Sequence, residues 1–374
     1  MNGCVIPHTP IAVDFWKVRD GPQMIHFLTH FHGDHISGLT STWNRPIYCS
    51  KLTKKLLVQK RGVKSELIRT LQIGCAEIVF LDNVQQENMV VTALDANHCP
   101  GAVMFLMEGY FGTILHTGDF RFKPEMLTET TLANRSGKVD VLYMDNTYCS
   151  PRCKFPTREQ ATTEIIKVIK SHPTHDIIIA MRNLGKEELL VKIAKECQEW
   201  KYVPHKFYQT LEILEAPNVF NCDNRDLRIQ IVPFYTISKR FVEKVNKTRP
   251  TIVIMPTVLY FGIDARPYEN IDNVYIVPYS DHSSYSELRE FVAFLRPGQI
   301  IPIVKATSRS PFEMSVADRA DMSRFSDLTG EKFNESVNVP PSVQAFMENR
   351  NITAALGKNR LFRLRKRQNR ARGL

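Results

Sequence analysis

His30-Phe31-His32-Gly33-Asp34-His35 follows, after Thr29, the apolar run Met24-Ile25-His26-Phe27-Leu28. Four side chains able to ligate a metal therefore fall within six residues, where a predicted strand ends. A loop there can point His30 and His32 the same way while Asp34 and His35 turn toward a neighbouring position. That arrangement suits two metals rather than one. Imidazole and carboxylate are borderline-to-hard ligands, which fit Zn²⁺ better than Mn²⁺ or Fe. The bland alternative, a His-rich surface turn, does not account for four ligands at this spacing.

Six residues cannot close two coordination shells, so further ligands should sit on other strand ends. His98 lies in Leu94-Asp95-Ala96-Asn97-His98-Cys99-Pro100-Gly101, after the strand-like Val90-Val91-Thr92-Ala93-Leu94. Asp119 lies in His116-Thr117-Gly118-Asp119-Phe120, after Gly112-Thr113-Ile114-Leu115-His116. Each is a strand-to-loop transition, where a rigid sheet presents side chains to a shared edge. Alone, each reads as a capping His or a turn Asp; together with the first run they make a candidate ligand set.

The rest of the chain is compatible with an enzyme. It has 374 residues, 43% hydrophobic and 24% charged, a length that allows two domains or one with an insertion. No apolar run approaches the ~20 residues of a membrane helix, so no membrane partner is expected. The opening Met1–Trp16 has no basic region ahead of an apolar stretch, which argues against a secretory leader. The eight cysteines are scattered without a CxxC pair and read as reduced thiols of an intracellular protein. The net charge of +10 is mostly a tail property: residues 356–374 hold eight basic residues and no acidic one. Without them, 41 basic residues face 39 acidic ones. That tail cannot pack a core, and is expected to stay disordered and serve nuclear import or nonspecific DNA binding.

Up to about residue 150, short apolar runs separated by turns predict a β-rich layer, with strands near 24–28, 46–49, 77–81, 89–94, 102–107, 112–116 and 139–144. Gly109-Tyr110-Phe111-Gly112 reads as a hairpin turn. Beyond it the pattern becomes α/β. Helices are predicted at 157–171, 185–200 and 284–296, and strands at 176–181, 251–255, 273–277 and 300–304. Residues 305–340 are rich in Ser and charge and read as a loop or linker.

His30-x-His32-x-Asp34-His35, the distant His98 and Thr117-Gly118-Asp119 resemble the metal-binding pattern of the metallo-β-lactamase superfamily. Asp14 in Ala12-Val13-Asp14-Phe15 matches its first motif, an Asp that supports the metal loop from behind. Tyr143-Met144-Asp145-Asn146-Thr147 and Pro278-Tyr279-Ser280-Asp281-His282-Ser283-Ser284 resemble motifs of the β-CASP branch, and within it the DNA cross-link-repair nucleases. The likeness covers roughly residues 1–305. It implies an α/β fold, an αβ/βα metallo-β-lactamase sandwich of residues 1–150 and 271–345. A β-CASP domain would be inserted over 151–270, with a basic tail over 346–374.

For the site, the resemblance implies one zinc on His30, His32, His98 and Asp119. A second, on Asp34, His35 and bridging Asp119, could be another divalent metal. Asp145 would orient a ligand His and His282 would act on the scissile phosphate; Asp34, His282 and Asp145 form the catalytic set. RNA-processing members have His where Val304 stands, so Val304 implies DNA. The implied function is 5′-to-3′ exonuclease action in the nucleus, in cross-link repair and telomere maintenance. Partners would be DNA with 5′-phosphate ends and telomere-binding and repair proteins, although no Tyr-x-Leu-x-Pro docking segment occurs in these residues. Gly185, Lys186, Ser283 and Ser284 are candidates for phosphate contact. An RNA-processing nuclease and a catalytically silent nucleic-acid-binding relative are the rival readings. Two departures stand out: Gln230 replaces the His usual after Arg-Ile, and His116 replaces the Tyr usual before Thr-Gly-Asp.

Overall fold

The computed structural model describes residues 3–17, 23–182, 184–260, 268, 270–304, 319–331 and 337–348. Five strands form the first sheet in sequence order: β1 (Cys4–Val5), β2 (Ile11–Val13), β3 (Ile25–Phe27), β4 (Ile47–Ser50) and β5 (Ile68–Leu71). The β1–β2 pair is antiparallel and the rest are parallel. The second sheet begins with β6 (Ala76–Phe80), β7 (Asn88–Asp95), β8 (Val103–Gly109), β9 (Gly112–His116) and β10 (Val141–Met144). β6 to β9 run antiparallel, and Gly109 pairs with Gly112 across the predicted hairpin turn. The chain then builds a third, parallel sheet from β11 (Asp176–Met181), β12 (Lys201–Tyr202), β13 (Phe220–Asn221), β14 (Ile229–Pro233), β15 (Thr251–Pro256) and β16 (Val274–Val277), ordered β13-β12-β14-β11-β15-β16. It returns through β17 (Gln299–Pro302), which lies parallel to β10 at the edge of the second sheet.

Alternation along the strands decides how these sheets stack. Phe27, Val91, Phe105, Met107 and Ile114 share one core between the first two sheets. Leu94, Leu106, Leu115 and Leu142 turn to the other face and pack against Leu288, Phe291, Val292 and Leu295. Those four lie on a helix, Tyr285–Leu295, started by a capping box between Ser284 and Glu287. On the outer face of the first sheet, Leu28, Ile47 and Cys49 meet Trp16, Leu39, Trp43 and Leu57. The layering is an αβ/βα sandwich. β11 and β15 are almost wholly buried runs, Asp-Ile-Ile-Ile-Ala-Met and Thr-Ile-Val-Ile-Met-Pro, as a parallel sheet covered on both faces requires. Ile177, Ile179 and Met181 face helices Arg158–Lys170, Glu187–Cys197 and His205–Ile213, while Ile178 and Ala180 face helix Lys239–Asn246.

Two expectations need correction. Within 305–340, the described residues 319–331 are packed rather than loose: Phe325 is fully buried in the core under helix Tyr285–Leu295. Of the tail expected from 346, residues 346–348 are described and close helix Pro341–Met347, with Met347 packed against the core between the sheets. Residues 305–318, 332–336 and 349–374 lie outside the described residues. Among the described residues no helix is long and apolar enough to cross a membrane.

Candidate active site

The carboxyl ends of β3, β7, β9, β10 and β17 face those of β11, β14, β15 and β16 across a groove of about 390 Å³. Its lining includes His32, Asp34, His98, Asp119, His282, Lys186, Arg182, Arg319 and Val304. Carboxyl ends are where open parallel sheets bind ligands. Here three sheets offer strand ends to one space.

At the floor, His30 Nε2 lies 3.1 Å from His32 Nδ1, which lies 3.0 Å from His98 Nε2. Asp119 Oδ2 is 3.7 Å from both His30 Nε2 and His98 Nε2, and 3.2 Å from His35 Nε2. Ligands about 2.0–2.1 Å from a tetrahedral zinc would stand ~3.3 Å apart, so these separations suit one ion held by His30, His32, His98 and Asp119. Asp34 Oδ2, 3.6 Å from His35 Nε2, extends the cluster toward a second position shared through Asp119. Asp119 Oδ1 is buried with no hydrogen-bond partner. Such an atom is costly unless a cation satisfies it, and the donor set fits the expected metal.

Every ring is held by its other nitrogen. His30 Nδ1 bonds to Thr29 Oγ1 at 2.9 Å, His32 Nε2 to the Leu184 carbonyl at 3.2 Å, and His98 Nδ1 to the Asp281 carbonyl at 2.8 Å. His35 Nδ1 meets Asp14 Oδ2 at 2.6 Å, and Asp14 also accepts from the Thr29 N–H and hydroxyl. These outer bonds fix which nitrogen faces a metal. Burial holds His30 and His98 well below the usual histidine range, which keeps them neutral as ligands must be. Burial also pulls on His35, but the flanking Asp119 and Asp14 carboxylates raise it well above that range. Cys99 sits beside the cluster, yet burial pushes its thiol far up, away from the thiolate that binds metal. Gly118 is required by space: its φ is +54°, and a Cβ would come 2.8 Å from Thr29.

His282 stands on the groove side of His98, ring centroids 4.6 Å apart, with Nδ1 2.8 Å from Asp145 Oδ2. Burial lowers its pKa, but the Asp145 and Asp119 charges outweigh this and lift it to about 9. Asp145 therefore serves His282 rather than a ligand His; its other oxygen accepts from the Thr147 N–H and hydroxyl. His116 is core: burial brings it down to about 4, and it stacks on Tyr143. Gln230 bonds to the carbonyls of Arg225 and Leu227, a turn-closing role.

Three of the four phosphate candidates are committed elsewhere. The Ser283 hydroxyl donates to the Phe120 carbonyl and accepts from the Phe122 N–H. The Ser284 hydroxyl caps helix Tyr285–Leu295. The Gly185 N–H donates to the buried Glu187 carboxylate. Lys186 does line the groove, paired with Asp281. Arg182 and Arg319, which the sequence reading passed over, line the groove too. Arg182 was findable, because it follows the buried strand β11 at its carboxyl end. Arg319, in a segment without periodicity, gave no signal.

Residues 215–308 match the family model for DNA repair metallo-β-lactamase. The chain is 44% identical over 348 residues to 5′ exonuclease Apollo of Rattus norvegicus, covering 93% of this chain and 61% of that protein. It is 46% identical to 5′ exonuclease Apollo of Gallus gallus over 82% of this chain and 64% of that protein. To the DNA cross-link repair 1A protein of Homo sapiens it is 34% identical, over 82% of this chain and 31% of that protein. The chain thus spans about three-fifths of the length of the first curated relatives it matches. A crystal structure of a protein of unknown function from Enterococcus faecalis V583 shares the fold at a TM-score of 0.51 and 14% identity, over 79% of this chain and 80% of that one. Motifs, layered fold and relatives agree: the chain belongs to the DNA-repair metallo-β-lactamase family.

Proposed function

We propose that this chain is a zinc-dependent 5′-to-3′ exonuclease that hydrolyses DNA phosphodiester bonds in cross-link repair and at telomeres, in the nucleus. The observation that carries the reading is Asp119: one oxygen within 3.7 Å of three imidazoles, the other buried without a partner. His30, His32, His98 and Asp119 would hold one zinc, and Asp34, His35 and Asp119 a second divalent ion. When bound, such a pair supplies Lewis acidity to a phosphodiester and makes water nucleophilic at neutral pH. Asp14 fixes His35 from behind. Residues 151–270 are assigned as the β-CASP domain, and 1–150 with 271–345 as the sandwich.

The protein's own groups do the rest. With Nδ1 held by Asp145, His282 keeps a proton for its Nε2, placed to meet charge on the phosphate or to protonate the departing 3′ oxygen. Arg182, Arg319 and Lys186 offer cationic donors along the groove for backbone phosphates, Lys186 for a terminal one. Val304, aligned by two bonds between its backbone and Asn146, leaves the second metal without a further imidazole. That supports DNA as substrate over RNA. Telomere-binding and repair proteins are the expected partners.

The test is digestion of end-labelled strands by the purified protein. DNA should be cleaved more than ~10-fold faster than matched RNA, a barrier difference above about 1.4 kcal/mol. A 5′-phosphate should outperform a 5′-hydroxyl, with products released from the 5′ end. Equal rates on RNA would favour the RNA-processing alternative, and absence of any metal-dependent cleavage would favour the silent-relative one.

A further inference from the structure

Among the described residues, Tyr235 is the most exposed large side chain with apolar character, at 88%. It lies in the turn Phe234–Thr236, directly after β14, and its neighbour Phe234 lines the groove that holds the histidine cluster. Phe234 stacks on Tyr260 with ring centroids 6.4 Å apart at 24°, and Tyr260 meets Tyr268 edge-on at 5.8 Å. Phe234, Tyr260 and Tyr268 thus form a half-buried row of rings off the groove wall, and Tyr235, next to Phe234 in the chain, carries an exposed ring.

The next element is helix Lys239–Asn246. Val242 is buried against β11 and β15, with Phe241 and Val245 partly buried beside it. Its exposed positions include Lys239, Arg240 and Lys244, followed by exposed Lys247 and by Arg249, which pairs with Asp176; Glu243 is the one acid of the helix. None of these basic groups takes part in the metal cluster. The exposed Tyr235 ring and the half-buried rings of Phe234 and Tyr260, followed in the chain by a basic helix, match what unpaired nucleic acid needs: π faces for bases and cations for the backbone. A duplex, whose bases stack on one another, could use only the cations.

We propose that Phe234, Tyr260 and Tyr235 form a base-stacking track for single-stranded DNA extending beyond the metal cluster, with helix Lys239–Asn246 following its backbone. This rests on the nuclease reading and adds a substrate form to it: a strand with several unpaired nucleotides next to the cleaved position. Tyr235 is a binding residue here and does no chemistry.

The experiment measures equilibrium binding by fluorescence anisotropy to two nuclease-resistant phosphorothioate strands of one length. One carries all its bases; the other is abasic beyond the second nucleotide. Tyr235→Ala is safe for folding because the side chain is almost fully exposed. It should weaken binding to the base-bearing strand roughly tenfold, leave the abasic strand unchanged, and be rescued by Tyr235→Trp. Equal loss on both strands, or no loss on either, would overturn the track. Hydrolysis of ordinary DNA by the same preparations is read separately. If the wild-type protein cleaves no DNA the nuclease reading fails, while the anisotropy comparison still decides the stacking.

Discussion

Asp119 is the residue at which sequence, fold and chemistry meet. It is placed by Gly118, whose backbone passes too close to Thr29 for any side chain. Asp119→Ala should lower bound zinc below two ions per chain and reduce DNA hydrolysis by at least ~1,000-fold, about 4 kcal/mol of barrier. The circular dichroism spectrum should hold, since the core clusters do not include it; normal turnover without metal would defeat the assignment. Glu187 makes a different prediction. Burial raises its carboxyl to about 7. The folded protein therefore binds this proton more tightly than the unfolded chain, whose carboxyl titrates near 4.5. Stability from this group is full below about 4.5 and is lost as pH rises through about 7. Glu187→Gln should leave the unfolding free energy little changed at pH 5 and raise it at pH 8, by an amount on the order of 1–3 kcal/mol. An identical shift at both pH values would show that the group is not buried as described. The His and Asp cluster was legible because its residues crowd into short runs at strand ends. Ser283, Ser284 and Gly185 were misread because their partners, Phe120, Phe122 and the two glutamates, are fixed by tertiary packing or local turns that residue type does not reveal.

At the level of elements, hydrophobic period predicted the long, well-buried strands and the helices at 158–170, 187–197 and 285–295 within a few residues. It missed β1, β2, β5, β12, β13 and β14, short strands that gain order from their sheet neighbours. It also missed helices His205–Ile213, Lys239–Asn246 and Pro341–Met347, and helix Lys51–Leu56 with its π-helical continuation Leu57–Arg61, where lysines obscure the buried Leu56 and Leu57. The least legible feature is a clamp between elements. Arg158, in the first turn of helix Arg158–Lys170, donates to Asn97 Oδ1 and the carbonyls of Asn97, His98 and Ser280. Arg121 donates to Glu287 and to the carbonyls of Ser280, His282 and Pro156. The two guanidiniums thus tie the His98 loop and the His282 loop to one another and to the inserted sheet. A lysine has no planar fork to reach several carbonyls at once. Arg158→Lys should therefore weaken zinc binding or turnover about 10–100-fold, as loss of support behind a metal ligand does. Zinc affinity and kcat equal to wild type would show that the clamp is incidental.

Across the whole molecule, charge is divided between chemistry and attraction. The groove holds only a few cations, and Lys186 is already paired with Asp281. The surplus of the chain lies elsewhere: eight of its 49 basic residues fall in residues 356–374, without one acid. A polyanion responds to such a cluster through counterion release, so its signature is the salt dependence of binding rather than the rate of the bound complex. Each phosphate contact contributes ~0.7 to the slope of log K against log salt on a single strand. Removing residues 356–374 should leave kcat and zinc content as they are, because every candidate ligand and groove cation lies before residue 320. The slope for single-stranded DNA should fall by several units if most of the eight charges meet phosphates, and the loss of affinity should shrink as salt is raised. The Tyr235 track answers oppositely: stacking is nearly indifferent to salt, so Tyr235→Ala should shift affinity by the same factor at low and high salt. Measuring both variants across one salt series separates the two contributions. An unchanged slope in the truncated protein would remove DNA binding from the tail and leave nuclear import as its remaining expected role.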